Sequence, residues 1–248
     1  MKIALQMYTL REEVKKDLLG TLEKVAAIGY TGVEFFGGVF GGLKASKLKK
    51  ELDRLGLEAV AAHTNVTQLK DNIEEVMDYN LEIGNSNIVV PWAKYGSRQD
   101  FVDMAKFCNE IGQKCKNKGL QLYYHNHAAE FEKFDGEYGL DIIFRETDAE
   151  LLKAEIDTYW VQHAGVNPLE YIKKNSGRCN LIHLKDMEAG EGKDFAEVGN
   201  GIMDIKSIIT TAKENGVKHF IVEQDVCKRP AFESVKISYD NLKKLNLI

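Results

Sequence analysis

A closed (β/α)8 TIM barrel of the α/β class is the fold this sequence predicts, and three observations predict it. Short apolar runs alternate with amphipathic stretches, the signature of a parallel sheet wrapped by helices. Eight such units fill the 248 residues with nothing to spare, and about 250 residues is the size of one whole barrel. The turn after the first run, Tyr8-Thr9-Leu10-Arg11, lacks the glycine-rich phosphate loop that an open doubly wound sheet would want. Residues 1–248 are therefore expected to form one domain.

The units follow one another along the chain. Strand Lys2–Tyr8 leads to Thr9, placed as an N-cap with Glu12 as its capping-box partner, and to a helix with Val14, Leu18, Leu22 and Val25 on one stripe, ended by Gly29. Strand Gly32–Phe36 precedes helix Ala45–Leu55 and Gly56. Strand Leu57–His63 precedes helix Leu69–Ile83 and Gly84. Strand Asn87–Trp92 precedes helix Arg98–Lys118 and Gly119. Strand Leu120–His125 precedes a helix near Tyr138–Arg145. Strand Leu152–Asp157 is followed by Asn167-Pro168, an N-cap with proline at the first helical position, and a helix to about Gly177. Strand Asn180–Leu184 leads to helix Asp204–Asn215. Strand His219–Glu223 leads to helix Ala231–Leu245. Three stretches, Gly37–Lys44, Ala128–Glu137 and Met187–Gly201, are expected to be mobile loops over the barrel mouth.

Composition narrows the function classes. Apolar residues make up 44% and charged residues 29%, enough for a core and too polar for a membrane protein. The formal charge of −5 makes a poor partner for a nucleic-acid backbone. Cys108, Cys115, Cys179 and Cys227 form no CxxC pair, so they are expected as small core residues in a reducing compartment. Charge returns at Arg11, too soon for a signal peptide, and no apolar run reaches the ~18 residues of a membrane span. The expected location is the cytoplasm.

In such a barrel the chemistry sits at the carboxyl ends of the strands. Those ends read Glu34, His63, Trp92, His125, Asp157, His183 and Glu223. Parallel strands buried on both faces should be apolar, so a ring of titratable groups at one mouth points to function. His125, Asp157, His183 and Glu223 offer two imidazoles and two carboxylates to a divalent metal. Imidazole favours Mn2+, Zn2+, Co2+ or Fe2+, with Mn2+ the first expectation, and the carboxylates keep Mg2+ open. Each residue also has a plain structural reading: a hydrogen-bonded core histidine for His125, a helix cap for Asp157, a lysine partner for Glu223. Lys185 shares the face of His183, and His127 that of His125, by the period-two rule. Either could face substrate or lie on the solvated rim. Glu130 reads equally as a site group or a solvated one. Trp92 could stack on a sugar ring or pack. Gly199-Asn200-Gly201 could let a phosphate approach a helix start, but Asp194, Glu197 and Asp204 nearby favour an unphosphorylated ligand.

The stretches Gly32-Val33-Glu34-Phe35, Tyr124-His125-Asn126-His127, Asp157-Thr158-Tyr159-Trp160, His183-Leu184-Lys185-Asp186 and Val222-Glu223 resemble the xylose isomerase-like TIM-barrel superfamily. This is the group of sugar phosphate isomerases and epimerases that also holds the family 2 AP endonucleases. The resemblance spans nearly the whole chain and is similar to a subgroup with a YHNH run. It implies one divalent metal held by four strand-end ligands, here His125, Asp157, His183 and Glu223. His125 stands where relatives usually carry glutamate, and Trp160 where many carry a histidine, which removes ligands from a multi-metal nuclease site.

The expected activity is a metal-dependent sugar isomerase or epimerase acting on a ketose, keto-sugar or polyol through an enediolate. Glu223 would be the base, with Lys185 on the opposite face and His127 or Glu34 as other candidates for that place. Glu34, His63, Trp92, His127 and Trp160 would line the substrate site. A metal-dependent lyase, dehydrating an inosose or eliminating from a 3-keto-glycoside, is the alternative. A non-catalytic sugar-binding barrel and an AP-site endonuclease follow it. The partner is a small-molecule sugar or polyol, with neither nucleic acid nor membrane expected and homo-oligomer formation left open.

Overall fold

Eight parallel strands close on themselves in a computed structural model that describes residues 2–38 and 40–248. They are β1 Ala4–Gln6, β2 Gly32–Phe35, β3 Glu58–His63, β4 Asn87–Val90, β5 Gln121–His125, β6 Leu152–Asp157, β7 Cys179–Leu184 and β8 His219–Val222. Each strand pairs with its sequence neighbours, and β1 pairs with β8 (Leu5 opposite Val222) to shut the barrel. No helix among the described residues is long and apolar enough to cross a membrane.

Strand geometry divides the side chains between two faces. Leu5, Val33, Phe35, Ile88, Val90, Leu122, Ile156, Ile182 and Val222 point outward into the core shared with the helices. Ala4, Val60, Ala61, Val89, Tyr123, Leu181 and Ile221 form a separate apolar cluster inside the barrel. Two residues further along the same strands the lumen turns polar. Gln6 follows Ala4, His63 follows Ala61, His125 follows Tyr123, His183 follows Leu181 and Glu223 follows Ile221, all buried.

Two register shifts refine this pattern. One falls between Val33 and Glu34 opposite β3, the other between Ala154 and Glu155 opposite β7. The extra residue lies on the partner strand in each case, Val60 in β3 and Asn180 in β7, so the bulge re-aims that strand, and a fully buried glutamate stands just past it across the pair.

Most of the expected elements form with boundaries shifted by a residue or two, and the exceptions have local causes. Thr9 caps nothing: it lies in the 3-10 turn Met7–Leu10, and its Oγ1 accepts from the Gln224 N–H instead. The first predicted helix is two, Arg11–Lys16 and Leu18–Ile28, because Asp17 turns its carboxylate onto the Gly20 N–H as an N-cap. Its stripe of Val14, Leu18, Leu22 and Val25 is nonetheless buried. Helix Leu69–Ile83 likewise splits at Asn72 into Val66–Asp71 and Ile73–Glu82. An unforeseen helix, Thr158–His163, starts directly from β6 with Asp157 as its cap. β4 stops at Val90, ahead of Pro91, so Trp92 stands beyond the strand with 56% of its surface exposed. Cys108, Cys115 and Cys179 are buried free thiols, and Cys227 is half-buried.

Two of the three predicted mouth loops carry short hairpins, Lys133–Phe134 with Glu137–Tyr138 and Asp186–Met187 with Phe195–Ala196. The third contains Val39, which lies outside the described residues, as does Met1 at the head of the chain.

Candidate metal centre

The polar half of the lumen is two layers deep. In the lower layer the Glu34, His63 and Glu155 side chains meet. Glu34 Oε2 accepts from Gln6 Nε2 at 2.9 Å and lies 2.6 Å from His183 Nε2. Glu155 Oε2 lies 2.8 Å from His63 Nε2 and 3.0 Å from His125 Nδ1. In the upper layer, His183 Nδ1 is 2.8 Å from Glu223 Oε2 and 4.0 Å from Asp157 Oδ2, while His125 Nε2 is 3.7 Å from the same Asp157 oxygen.

These contacts define two candidate cation cages whose ligand atoms lie within 4.8 Å of one another: His63, His125, Glu155 and His183 below, and His125, Asp157, His183 and Glu223 above. Both use His125 and His183, with His125 meeting Glu155 through Nδ1 and Asp157 through Nε2. His183 meets Glu155 through Nε2 and Glu223 through Nδ1. The upper cage opens to the outside, since His125 and Glu223 line a cavity of about 350 Å³. Tyr8, Phe36, His63, Trp92, His127, Lys185 and Asp225 complete most of its wall.

The upper donor set fits a divalent ion. Asp157 divides its carboxylate: Oδ1 caps the Trp160 N–H, while the buried Oδ2 accepts no hydrogen bond. Asp157 thus caps the helix with one oxygen and turns the other toward the cage. Each imidazole of the cage turns its other nitrogen onto a carboxylate, Glu155 for His125 and Glu34 for His183. A ligating histidine needs that arrangement to fix its tautomer.

Electrostatics set the protonation of the cluster. Against the pull of burial, Glu34 and Glu155 push His63 up to about 10. His183 is likewise held well above its usual value, burial being outweighed by Glu155, Glu34 and Glu223. His125 goes the other way, through burial and the charge of His183. Burial and the Lys185 charge take His127 down to about 3, so it is a neutral ring. Glu223 stays ionised, well below the usual carboxylate range, because Lys185 and His183 outweigh its burial. Burial and the Glu223 charge raise Asp225 to about 6.

The remaining expected site residues sort themselves by this geometry. Glu34 lies below the cavity, not on its wall. Lys185 is 1% exposed and is no rim lysine. His127 lines the cavity with a buried Nδ1 that has no partner. Trp160 stands behind it, ring centres 5.5 Å apart, and is not on the cavity wall. Glu130 is fully buried and holds the His127 backbone N–H at 2.9 Å and the Tyr124 hydroxyl at 3.0 Å. The Gly199-Asn200-Gly201 loop does form an anion cradle, but Asp186 occupies it, with Oδ2 accepting from the N–H groups of Gly199 and Gly201 and Oδ1 from those of Met187 and Met203.

Sequence reasoning misses Glu155, Asp225 and Gln6, although the period-two rule holds a signal for all three. Glu155 lies two residues before Asp157, Asp225 two residues after Glu223, and Gln6 two residues after the inward-facing Ala4.

A parallel barrel whose lumen gathers imidazoles and carboxylates at its carboxyl end has the architecture of an enzyme site. The chain belongs to the xylose isomerase-like TIM barrel family, whose model matches residues 22–245. It is similar to an inosose dehydratase of Clostridium beijerinckii, 26% identical over 159 residues that cover 56% of this chain and 52% of that one. The chain thus spans about half the length of the first curated relatives it matches. Among solved structures it is similar to a sugar phosphate isomerase/epimerase of Parabacteroides distasonis, with TM-score 0.86 and 25% identity, covering 100% of this chain and 95% of that one. It also shares its fold with an IOLI protein that binds a zinc atom, with TM-score 0.73 and 16% identity, covering 100% and 97%.

Proposed function

We propose that the protein is a divalent-metal-dependent lyase that removes water from a small, unphosphorylated polyhydroxy ketone by taking a proton from the carbon next to its carbonyl. The observation that carries this reading is the upper cage itself: four buried donors, two of which, His125 and Glu223, line a 350 Å³ cavity. His125 Nε2, Asp157 Oδ2, His183 Nδ1 and Glu223 Oε2 would hold the ion. When bound, it supplies Lewis-acid chemistry that acidifies a carbon next to a ketone.

The chain's own groups supply the rest. Glu223, ionised and on the cavity wall, takes the proton. Lys185, with its ammonium beside Glu223, balances the negative charge that grows on the substrate oxygen. Asp225, on the same wall, holds the Lys185 ammonium at 2.8 Å, and the proton that Glu223 takes passes to the departing hydroxyl, which leaves as water. The neutral His127 ring on the cavity wall meets a substrate hydroxyl, and exposed Trp92 gives a ring for the C–H face of the substrate. With Asp186 in the backbone cradle, no anion site is left in that loop for a phosphate. The inosose dehydratase relatives support the elimination. An isomerase or epimerase outcome, in which Lys185 or His127 returns the proton to carbon, is the second reading, favoured by the likeness to the Parabacteroides sugar phosphate isomerase/epimerase.

The test is proton NMR of ketoses, inososes and 3-keto-glycosides in deuterated water, with Mn2+ and with chelator. The expected result is deuterium entry next to the carbonyl with formation of a dehydrated product, both lost in Glu223→Gln. Exchange with epimer or isomer and no dehydration would move the assignment to the second reading. Turnover untouched by chelator would overturn the metal dependence.

A further inference from the structure

The Lys185 ammonium crowds the very oxygens of the upper cage. It lies 2.9 Å from Asp157 Oδ2, 2.6 Å from Glu223 Oε2 and 2.8 Å from Asp225 Oδ1. Of these three carboxylates, only Asp225 is met with hydrogen-bond geometry. Asp157 Oδ2 accepts no hydrogen bond despite the ammonium beside it. The two closest cage oxygens therefore feel the lysine mainly as a charge.

We propose that Lys185 and a divalent ion are alternative cations for Asp157 Oδ2 and Glu223 Oε2, and that Asp225 is the carboxylate that receives the ammonium when the ion enters. This rests on the reading that the upper cage binds a metal. An ion coordinated by those two oxygens would stand within a few ångströms of a fixed ammonium, where like charges repel strongly in a buried site. Moving the ammonium outward relieves the repulsion and keeps its one well-formed hydrogen bond, because Asp225 lies on the cavity wall with its side chain 20% exposed. Aromatic faces line the same region: Lys185 Nζ is 5.8 Å from the Trp160 ring centre and 5.9 Å from that of Phe195. Trp160, expected from sequence to touch substrate, thereby becomes a wall for the lysine. The arrangement keeps the carboxylates compensated before loading and brings the ammonium to the cavity, where the substrate sits, on loading.

Metal titration of the chelator-treated full chain tests this. Mn2+ binding is measured by calorimetry, and Co2+ binding by the visible spectrum that reports its donor set. Lys185→Met is expected to bind Mn2+ at least about tenfold more tightly than the unaltered protein, with an unchanged Co2+ spectrum because all four donors remain. Asp225→Asn, which keeps the ammonium but removes its alternative partner, is expected to bind Mn2+ several-fold more weakly, again with the same spectrum. Equal or weaker binding in Lys185→Met overturns the proposal, as does unchanged or tighter binding in Asp225→Asn. The second variant decides the matter if the first fails to fold. If neither the unaltered protein nor Lys185→Met binds an ion, the metal reading falls and this inference with it. If the unaltered protein binds and the variants do not shift as stated, only this inference falls.

Discussion

The lower and upper halves of the barrel lumen are built on the same strands and differ in almost everything else. Below, Ala4, Val60, Ala61, Val89, Tyr123, Leu181 and Ile221 fill the space by close packing. One step up each strand, Gln6, Glu34, His63, His125, Glu155, His183 and Glu223 fill a comparable space with charge. The lower half needs only volume and tolerates swaps that conserve it. The upper half is stable only while every charge has its partner, because an unpaired buried charge costs several kcal/mol. The packed half of the barrel thus holds the reactive half in place.

That contrast can be broken or sharpened by substitution. The largest effect is expected at Glu155, whose loss takes a counter-charge from His63 and His183 and the hydrogen-bond partner from His125 Nδ1. Urea unfolding of chelator-treated Glu155→Ala should show a loss of about 3–5 kcal/mol, and a neutral result would mean that the upper half is held by packing after all. Next comes Glu34, which orients His183 from behind. Glu34→Gln should weaken Mn2+ binding about 10–100-fold by calorimetry, and unchanged affinity would detach the lower polar layer from metal binding.

The third is a pH effect at His63, raised from 6.5 to about 10 in the folded chain. A group whose folded value is raised lends stability that is complete below 6.5 and lost as pH climbs through about 10. Stability of the chelator-treated protein should therefore fall with rising pH across that window, and His63→Gln should flatten the fall by up to about 1.4 kcal/mol per pH unit. An unaltered slope would place the proton elsewhere in the cluster. The smallest effect is expected in the apolar half: Ile221→Val should cost about 0.5–1.5 kcal/mol and leave metal affinity alone. A change in affinity there would show that the two halves are mechanically coupled.

The sequence made the contrast legible where strand ends were polar. The alternation of strand and helix pointed to the closed barrel, and the polar ends of β5 to β8 marked the residues that the fold brings to one cage. Reading only the last residue of each strand hid Glu155, which sits one inward position below Asp157. Asp225 escaped because β8 ends at Val222 while its inward periodicity continues into the loop. Trp160 was misplaced since Asp157 starts a helix at once, which turns the tryptophan behind His127. The splits at Asp17 and Asn72 depend on local competition between caps and helix continuation, which a hydrophobic stripe does not register.

The sharing of His125 and His183 between two neighbouring donor sets has one more consequence. Filling both sets together would oblige each ring to give up both of its protons, beside carboxylates that oppose any further negative charge. The two donor sets are thereby alternatives for one ion rather than homes for two, unlike the paired ions about 3.5–4 Å apart of a two-metal centre.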